Sequence, residues 1–279
     1  MIKTIFKKLL PNGLINFLKK IFSLKKTLLI NELNKSLNFK ITNEKIIFLG
    51  SEYGGWNFLE KENLKKNYII SAGLGEDASF DIDLINKYNC KVILVDPTPR
   101  AIEHYKEIMK KKGQSRSKIY NNIGKQEIES YNLQNINDEN FILIDKALYN
   151  KDNEKLKFFS PLNKLHVSHS INNYQNNYST DNNHIIVNSI TLKKILENFK
   201  IKNLEMIKLD IEGAEIEVLQ DMIKNEIFPK QILVEYDELK NINETAKKRF
   251  FMAHNLLIEN SYNLIKTQSK YPDFLYCKS

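Results

Sequence analysis

The chain has 279 residues, of which 42% are hydrophobic and 27% are charged, a composition typical of a folded protein with a sizeable core. Its two cysteines, Cys90 and Cys277, lack the spacing of a disulfide framework or a zinc cluster, so we expect a reducing, cytoplasmic location. The net charge of +8 belongs to residues 1–40, which hold nine lysines and one acidic residue, Glu32. Because the rest of the chain is neutral overall, the charge does not indicate a nucleic-acid partner.

Residues 1–40 are predicted to form an extension of basic amphipathic helices, followed by a single domain over residues 41–279. Lysine pairs interrupt each apolar run, so no run reaches the ~20 residues of a membrane span, and none is typical of a secretory signal. Two interpretations stay open. Residues 1–30 attach the protein peripherally to the inner face of an anionic membrane, or the helices pack on the domain or on a second subunit of a homodimer.

From residue 45 onward, strand-like and helix-like segments alternate. Short apolar runs predict buried strands at residues 67–72, 91–95, 141–145, 206–210 and 231–236. Helical spacing of apolar residues predicts helices at residues 81–88, 99–112, 191–198, 213–224 and 246–259. An Asn-rich run at 172–183 is predicted to be a mobile loop, and residues 262–267 and 274–277 to form a hairpin. The order predicts an α/β, Rossmann-like fold with a mostly parallel sheet, helices on both faces and a C-terminal antiparallel hairpin.

The stretch SAGLGEDASFD, residues 71–81, follows the first predicted strand and contains a tight glycine turn. Gly73, Gly75 and Ala78 match the G-x-G-x-x-A pattern of a dinucleotide-binding turn. Asp96 ends the next strand, where an acidic residue can accept hydrogen bonds from a ribose. In such a sheet the ligand lies outside the carboxyl ends of the strands, next to this turn.

Two cofactors compete for this turn, a nicotinamide dinucleotide and S-adenosylmethionine. A dinucleotide would place its pyrophosphate at the helix start after the glycines, where Glu76 and Asp77 stand. Two carboxylates would repel that negative group, whereas they suit the ammonium and sulfonium groups of S-adenosylmethionine. The residues favour S-adenosylmethionine, while a plain structural turn stays open.

Longer segments occur in a fixed order: SEYGGW (51–56), GLGEDASFD (73–81), VDPTPRAIEH (95–104), HVSHSI (166–171) and KLDIEGAEIEVL (208–219). With these segments, residues 45–240 resemble the FkbM-type methyltransferases, in the subgroup with a DPTP turn after the second strand. The resemblance implies a seven-stranded fold that binds S-adenosylmethionine. It also implies O-methylation of hydroxyl groups on sugars, glycans or secondary metabolites, with a sugar or glycan as the expected acceptor.

The resemblance also implies which residues bind the cofactor: Gly73, Gly75, Asp77, Ser79, Asp96, Pro97, Lys146 and Ala147. The two glycines would let the backbone approach the methionine part of the cofactor. Asp96 would hold the ribose, and the residues after the third strand, 146 and 147, would border the adenine.

Methyl transfer needs an acceptor oxygen held in line with the methyl group at ~3 Å, and a sugar hydroxyl benefits from a general base. The resemblance places Asp210, at the end of the fourth strand, near the transferred methyl. Glu212 flanks the same strand end, and His169, in HVSHSI, has an unperturbed pKa suited to a base near neutrality. Glu215 and Glu217 can instead be acids that the dipole of their own helix favours.

A divalent metal is a further hypothesis, which the sequence does not favour. Glu235 and Asp237 follow the fifth strand, beside the fourth, so these two residues and Asp210 could converge on a hard cation such as magnesium. They could equally be solvated residues at a strand end.

The acceptor pocket is expected to be built from inserted loops at residues 113–140 and 160–190, whose polar character suits a sugar. Trp56, the single tryptophan, either packs in the core or belongs to a loop over the cofactor or acceptor.

Three functions stay open at this point. The first is an S-adenosylmethionine-dependent O-methyltransferase acting on a carbohydrate hydroxyl. The second is an NAD-dependent oxidoreductase, and the third is a non-catalytic scaffold that keeps the fold and docks at a membrane through its basic extension.

Overall fold

A seven-stranded sheet forms the centre of the protein. The computed structural model describes residues 24, 27–159, 171, 183–268 and 271–279. The strands are β1 (Ile46–Leu49), β2 (Trp56–Leu59), β3 (Tyr68–Ala72), β4 (Lys91–Val95), β5 (Phe141–Ile144), β6 (Ala147–Leu148), β7 (Lys155–Phe159), β8 (His184–Ile190), β9 (Met206–Leu209), β10 (Gln231–Glu235), β11 (Tyr262–Ile265) and β12 (Asp273–Lys278). The α-helices are α1 (27–36), α2 (Ser79–Tyr88), α3 (Pro99–Lys110), α4 (Leu192–Asn198), α5 (Glu215–Lys224) and α6 (Glu244–Glu259).

The order of strands in the large sheet is β11-β12-β10-β9-β3-β4-β5. Strands β10, β9, β3, β4 and β5 pair in parallel, whereas β12 is antiparallel to both β10 and β11. The predicted α/β fold, with its mostly parallel sheet and C-terminal hairpin, is therefore confirmed. The chain runs outward from β3 through β4 and β5 and then returns to the other side of β3 as β9. This reversal is a topological switch point, where open α/β sheets bind their ligands.

Helices cover both faces of this sheet because successive residues of a strand point to opposite sides. In β3, Ile70 and Ala72 pack in a core cluster that includes residues of α1, α4, α5 and α6. Their neighbour Ile69 packs on the other face, in a cluster that includes residues of α2 and α3. Continuous runs of Val, Ile and Leu are what strands buried on both faces require.

Helix α1 packs on the domain, although it belongs to the predicted extension. Leu33 is fully buried and Leu37 is 7% exposed, and both lie in the core cluster of α5 and α6. The chain then reaches the sheet, where the Lys40 amide donates to the Leu264 carbonyl over 2.7 Å. Residues 1–23, 25 and 26 lie outside the described residues. Among the helices that the structure describes, none is long and apolar enough to cross a bilayer.

Two smaller sheets are absent from the sequence-based expectations. Strands β1 and β2 form an antiparallel hairpin ahead of the large sheet, and β6, β8 and β7 form a three-stranded sheet. In β7, lysines alternate with apolar residues over only five positions, a run too short to indicate a strand by itself. Apart from Ile171 and Asn183, the HVSHSI segment and the predicted Asn-rich loop lie outside the described residues.

Candidate active site

A cavity of about 470 Å³ opens at the carboxyl ends of β3, β4, β9 and β10, at the switch point of the sheet. Its lining joins turns that are far apart in the sequence. The predicted site residues that line it are Gly73, Gly75, Asp77, Asp96, Pro97, Ala147, Asp210, Glu212 and Glu235. The sequence therefore predicts most of the site residues that line the cavity at the ends of β3 and β4, and some of those at the ends of β9 and β10.

The glycine turn after β3 brings the backbone against the end of β9. Gly73 has a φ of +88°, and a Cβ added there would lie 1.8 Å from the Asp210 carbonyl oxygen. Only glycine fits this conformation and this contact. At Gly75, with a φ of +55°, an added Cβ would meet no atom within 4 Å, so this part of the turn borders open space in the cavity.

Asp96 anchors the glycine turn from the end of β4. One carboxylate oxygen accepts from the amides of Leu74 and Gly75 over 2.9 and 3.0 Å. The other accepts from the amide and the hydroxyl of Thr98 over 2.8 and 2.7 Å. A carboxylate accepts about four such bonds, so Asp96 fixes the turn. Its predicted contact with a ribose stays a prediction.

The two acids after the turn are less available than the sequence suggests. Glu76, 5% exposed, pairs with Arg100 and lies 3.1 Å from the Lys125 ammonium. The repulsion expected between Glu76 and a pyrophosphate is therefore largely compensated, because two cations already balance its charge. Asp77 accepts from Ser51 Oγ and Gln126 Nε2 over 2.6 and 3.0 Å.

The SEYGGW segment folds over this turn as the loop between β1 and β2. Ser51 holds it in place, since its amide donates to Ser79 Oγ over 2.7 Å. A Cβ at Gly54 would lie 2.8 Å from the Asp77 carboxyl carbon, and one at Gly55 would lie 2.5 Å from two backbone oxygens. Both glycines are therefore packing requirements of the loop. Trp56 packs in a core cluster, the first of its two predicted roles, and it also lines the cavity. It begins strand β2 and does not belong to a loop.

A group of acids lies at and behind a second wall of the cavity, which the ends of β9 and β10 form. Carboxylate oxygens of Asp210, Glu212 and Asp237 lie within 4.8 Å of one another, and Glu235 adjoins them. The Lys240 ammonium pairs with Asp237 and lies 2.5 Å from Glu235 Oε1.

These charges shift the pKa values of the group. Burial and the charge of Asp210 raise the pKa of Glu235 to about 9, against the effect of Lys240. Burial and the charge of Glu212 raise the pKa of the fully buried Asp237 well above its usual range. Burial lowers the pKa of Lys240, but the surrounding carboxylates raise it overall. The group offers the oxygen ligands that a hard cation prefers and already holds one cation, the Lys240 ammonium. A bound metal stays an untested hypothesis.

Glu215 and Glu217 have structural partners. The buried Glu215 carboxylate accepts from the amides of Ile211 and Gly213 over about 3 Å, and so closes the DIEGAE turn before α5. Burial raises the pKa of Glu215 to about 8. Glu217 pairs with Arg249 of α6 at 2.8 Å.

The other predicted residues lie elsewhere. Ser79 and Lys146 are outside the cavity lining: the Ser79 hydroxyl holds Ser51, and the Lys146 ammonium donates to Asn153 Oδ1 over 3.1 Å. Asp237 lies behind Lys240 rather than on the cavity wall. His169 is outside the described residues.

Tyr53, Lys208 and Lys240 are among the lining residues to which the sequence assigns no role. Tyr53 is 62% exposed, and a Cβ added at Gly124 would meet its ring at 2.9 Å. Its position inside SEYGGW is the signal that could have identified it. A lysine inside a strand, or in the turn after one, ordinarily indicates a solvated surface.

Comparison with known families identifies the family to which the chain belongs. A sequence model described as "Methyltransferase FkbM domain" matches residues 51–257. The chain belongs to the FkbM methyltransferase family. The matched range holds both walls of the cavity, and only Tyr271, Pro272 and Asp273 of the FkbM cavity lining lie beyond it.

Solved structures similar to this FkbM methyltransferase are distant. One is the SAH-bound methyltransferase PaMTH1 of Podospora anserina, with a TM-score of 0.41 and 8% identity over 76% of this chain and 71% of that one. Another is the fibrillarin pre-rRNA processing protein of Methanococcus jannaschii, with a TM-score of 0.34 and 15% identity over 86% and 84%. Likenesses of this strength carry no argument about the site. No curated protein sequence matches the chain significantly.

Proposed function

We propose that this methyltransferase moves the methyl group of S-adenosylmethionine to a hydroxyl oxygen of a sugar or glycan. The observation that carries the proposal is that a single cavity joins the glycine turn to the carboxylates of Asp210 and Glu212. The main chain of Gly73 directly contacts that of Asp210, so a donor held at the turn would present its reactive end to the acids.

The residues of the cavity fit such a donor. The open space beside Gly75 lets a ligand approach the backbone of the turn, and the cavity volume of about 470 Å³ lies in the range of small-molecule sites. The sulfonium would supply a methyl carbon already activated for displacement. The protein has to hold the acceptor oxygen in line and accept its proton.

Asp210 is the group proposed to accept that proton. It directly follows β9, where its amide donates to the Ala72 carbonyl over 3.1 Å, so its main chain is fixed by the sheet. Its side chain lines the cavity and lies close enough to Glu235 and Tyr53 for its charge to raise the pKa of both groups. Tyr53 adds an exposed aromatic ring beside these acids, a combination that suits a ligand with an apolar face and many hydroxyls.

The test is a labelled-methyl transfer assay over nucleotide sugars, free glycans, lipid-linked glycans, a protein mixture and small phenols. We expect label on a carbohydrate. Asp210→Asn should lower the transfer rate by about 10²–10⁴-fold while donor affinity changes little. Asp138→Asn, at a carboxylate 75% exposed on the surface, is the matched control and should keep the wild-type rate.

Label on proteins or phenols instead of carbohydrates would overturn the acceptor class. An Asp210→Asn variant with the wild-type rate would overturn the role of Asp210 as a base.

A further inference from the structure

Lys208 is a buried cation in the wall of the cavity. It lies in β9, is 4% exposed, and lines the cavity beneath the glycine turn. Its ammonium donates to the Gly73 carbonyl oxygen over 2.5 Å and lies 5.8 Å from the centre of the Trp56 ring. An ammonium has three N–H donors, and the bond to Gly73 uses one of them.

The charge of Lys208 has no close carboxylate partner among the described residues. Burial raises the pKa of Asp81 and the charge of Lys208 lowers it, but the two residues do not form an ion pair. A buried charge is costly unless it is paired. Lys240, the other lysine of the lining, is by contrast already held by Glu235 and Asp237.

We propose that Lys208 binds the carboxylate of the amino-acid part of the methyl donor, and so selects donors that carry this group. The inference rests on the proposed function. The methionine part of S-adenosylmethionine contains an ammonium and a carboxylate, and the acids at the ends of β9 and β10 suit the ammonium. Its carboxylate needs a cation, and Lys208 offers one at the glycine turn, where the open space beside Gly75 leaves room for the donor.

A purely structural role for Lys208 predicts a different pattern of ligand affinities. If its only task were to hold the Gly73 carbonyl, its removal would loosen the turn and weaken every ligand of the turn alike. A carboxylate-binding role adds a further loss of affinity that only ligands with a carboxylate show. The ratio of two affinities therefore separates the two roles.

The experiment compares dissociation constants, measured by calorimetry, for S-adenosylmethionine, its decarboxylated analogue and 5′-methylthioadenosine. The wild type should bind S-adenosylmethionine about 10–100-fold more tightly than the analogue, as expected for one charge-assisted hydrogen-bonded contact. Lys208→Met should remove this ratio, so that S-adenosylmethionine loses about 10–100-fold more affinity than 5′-methylthioadenosine does. Lys208→Gln is the second variant should the first not fold, and Lys202→Met, at an exposed lysine, is the control.

The outcomes separate the two claims. A wild type that binds no S-adenosylmethionine contradicts the proposed function. A wild type that binds the donor and its decarboxylated analogue equally overturns the inference alone. Equal weakening of all three ligands in Lys208→Met, or an unchanged ratio, also overturns it and leaves the proposed function standing.

Discussion

At the scale of single residues, the geometry of the site depends on a contact between the main chains of Gly73 and Asp210. Gly73 and the Asp210 carbonyl are in direct contact, so β3, which leads into the glycine turn, and β9, which leads to the proposed base, are fixed relative to each other. The position of the acid relative to the turn is therefore set by backbone packing, which varies little.

Gly73→Ala tests this contact, and Gly113→Ala is its matched control. The two glycines have φ values of +88° and +87°, but a Cβ at Gly113 meets no atom within 4 Å. Left-handed backbone strain alone should lower the free energy of unfolding of Gly113→Ala by about 1–2 kcal/mol. Gly73→Ala adds a clash with the backbone, so its free energy of unfolding should fall by about 3 kcal/mol or more. Urea unfolding followed by the fluorescence of the buried Trp56 gives both values, and equal losses would contradict the contact.

The sequence predicts the residues of the glycine turn because their spacing reflects local geometry. Gly73 and Gly75 were predicted from a turn between a strand and a helix, and Asp96 from an acidic residue at the end of the next strand. Lys208 could not be predicted in the same way, because its burial and its bond to the Gly73 carbonyl arise only when β9 pairs with β3. Lys240 lies in the turn after β10, where a lysine ordinarily indicates a solvated surface. The compensation of Glu76 by Arg100 and Lys125 is likewise a tertiary contact.

At the scale of elements, the hairpin β1–β2 connects the sheet to the cavity. The Gln231 side chain at the start of β10 accepts from the Leu59 amide and donates to the Leu59 carbonyl, over 2.8 and 2.9 Å. These two bonds hold β2 against the sheet. The loop between β1 and β2 then covers the glycine turn, where Ser51 bonds to Asp77 and Ser79. The sequence does not predict this hairpin, because β1 is a short apolar run without polar alternation and because SEYGGW indicates a loop. The central strands were predicted because each is a short apolar run ending at a turn.

Helix α1 gives the test at this scale. Leu33 is fully buried against the domain, whereas Leu28 of the same helix is 63% exposed. Leu33→Ala should therefore lower the free energy of unfolding by about 2–5 kcal/mol, and Leu28→Ala should change it by no more than about 0.5 kcal/mol. Chemical unfolding of the two variants checks this, and a similar small effect for both would show that α1 is not part of the folded domain.

At the scale of the whole molecule, the topology places the cavity. The chain reverses direction across the sheet between β3 and β9, so the turns after these strands diverge and leave a crevice. The family relation shows a methyltransferase, and this crevice is where we propose that the donor and the acceptor bind. The fold alone would also accept a dinucleotide, and the compensated charge of Glu76 weakens the electrostatic objection to it.

The central claim, that the crevice holds S-adenosylmethionine, is therefore tested most directly by calorimetric titration of the wild-type protein with S-adenosylmethionine and, separately, with NAD. We expect S-adenosylmethionine to bind in a 1:1 complex with a dissociation constant in the range of about 1 µM–1 mM that is common for enzyme substrates, and NAD to give no binding heat. Saturable binding of NAD with no binding of S-adenosylmethionine would contradict the account.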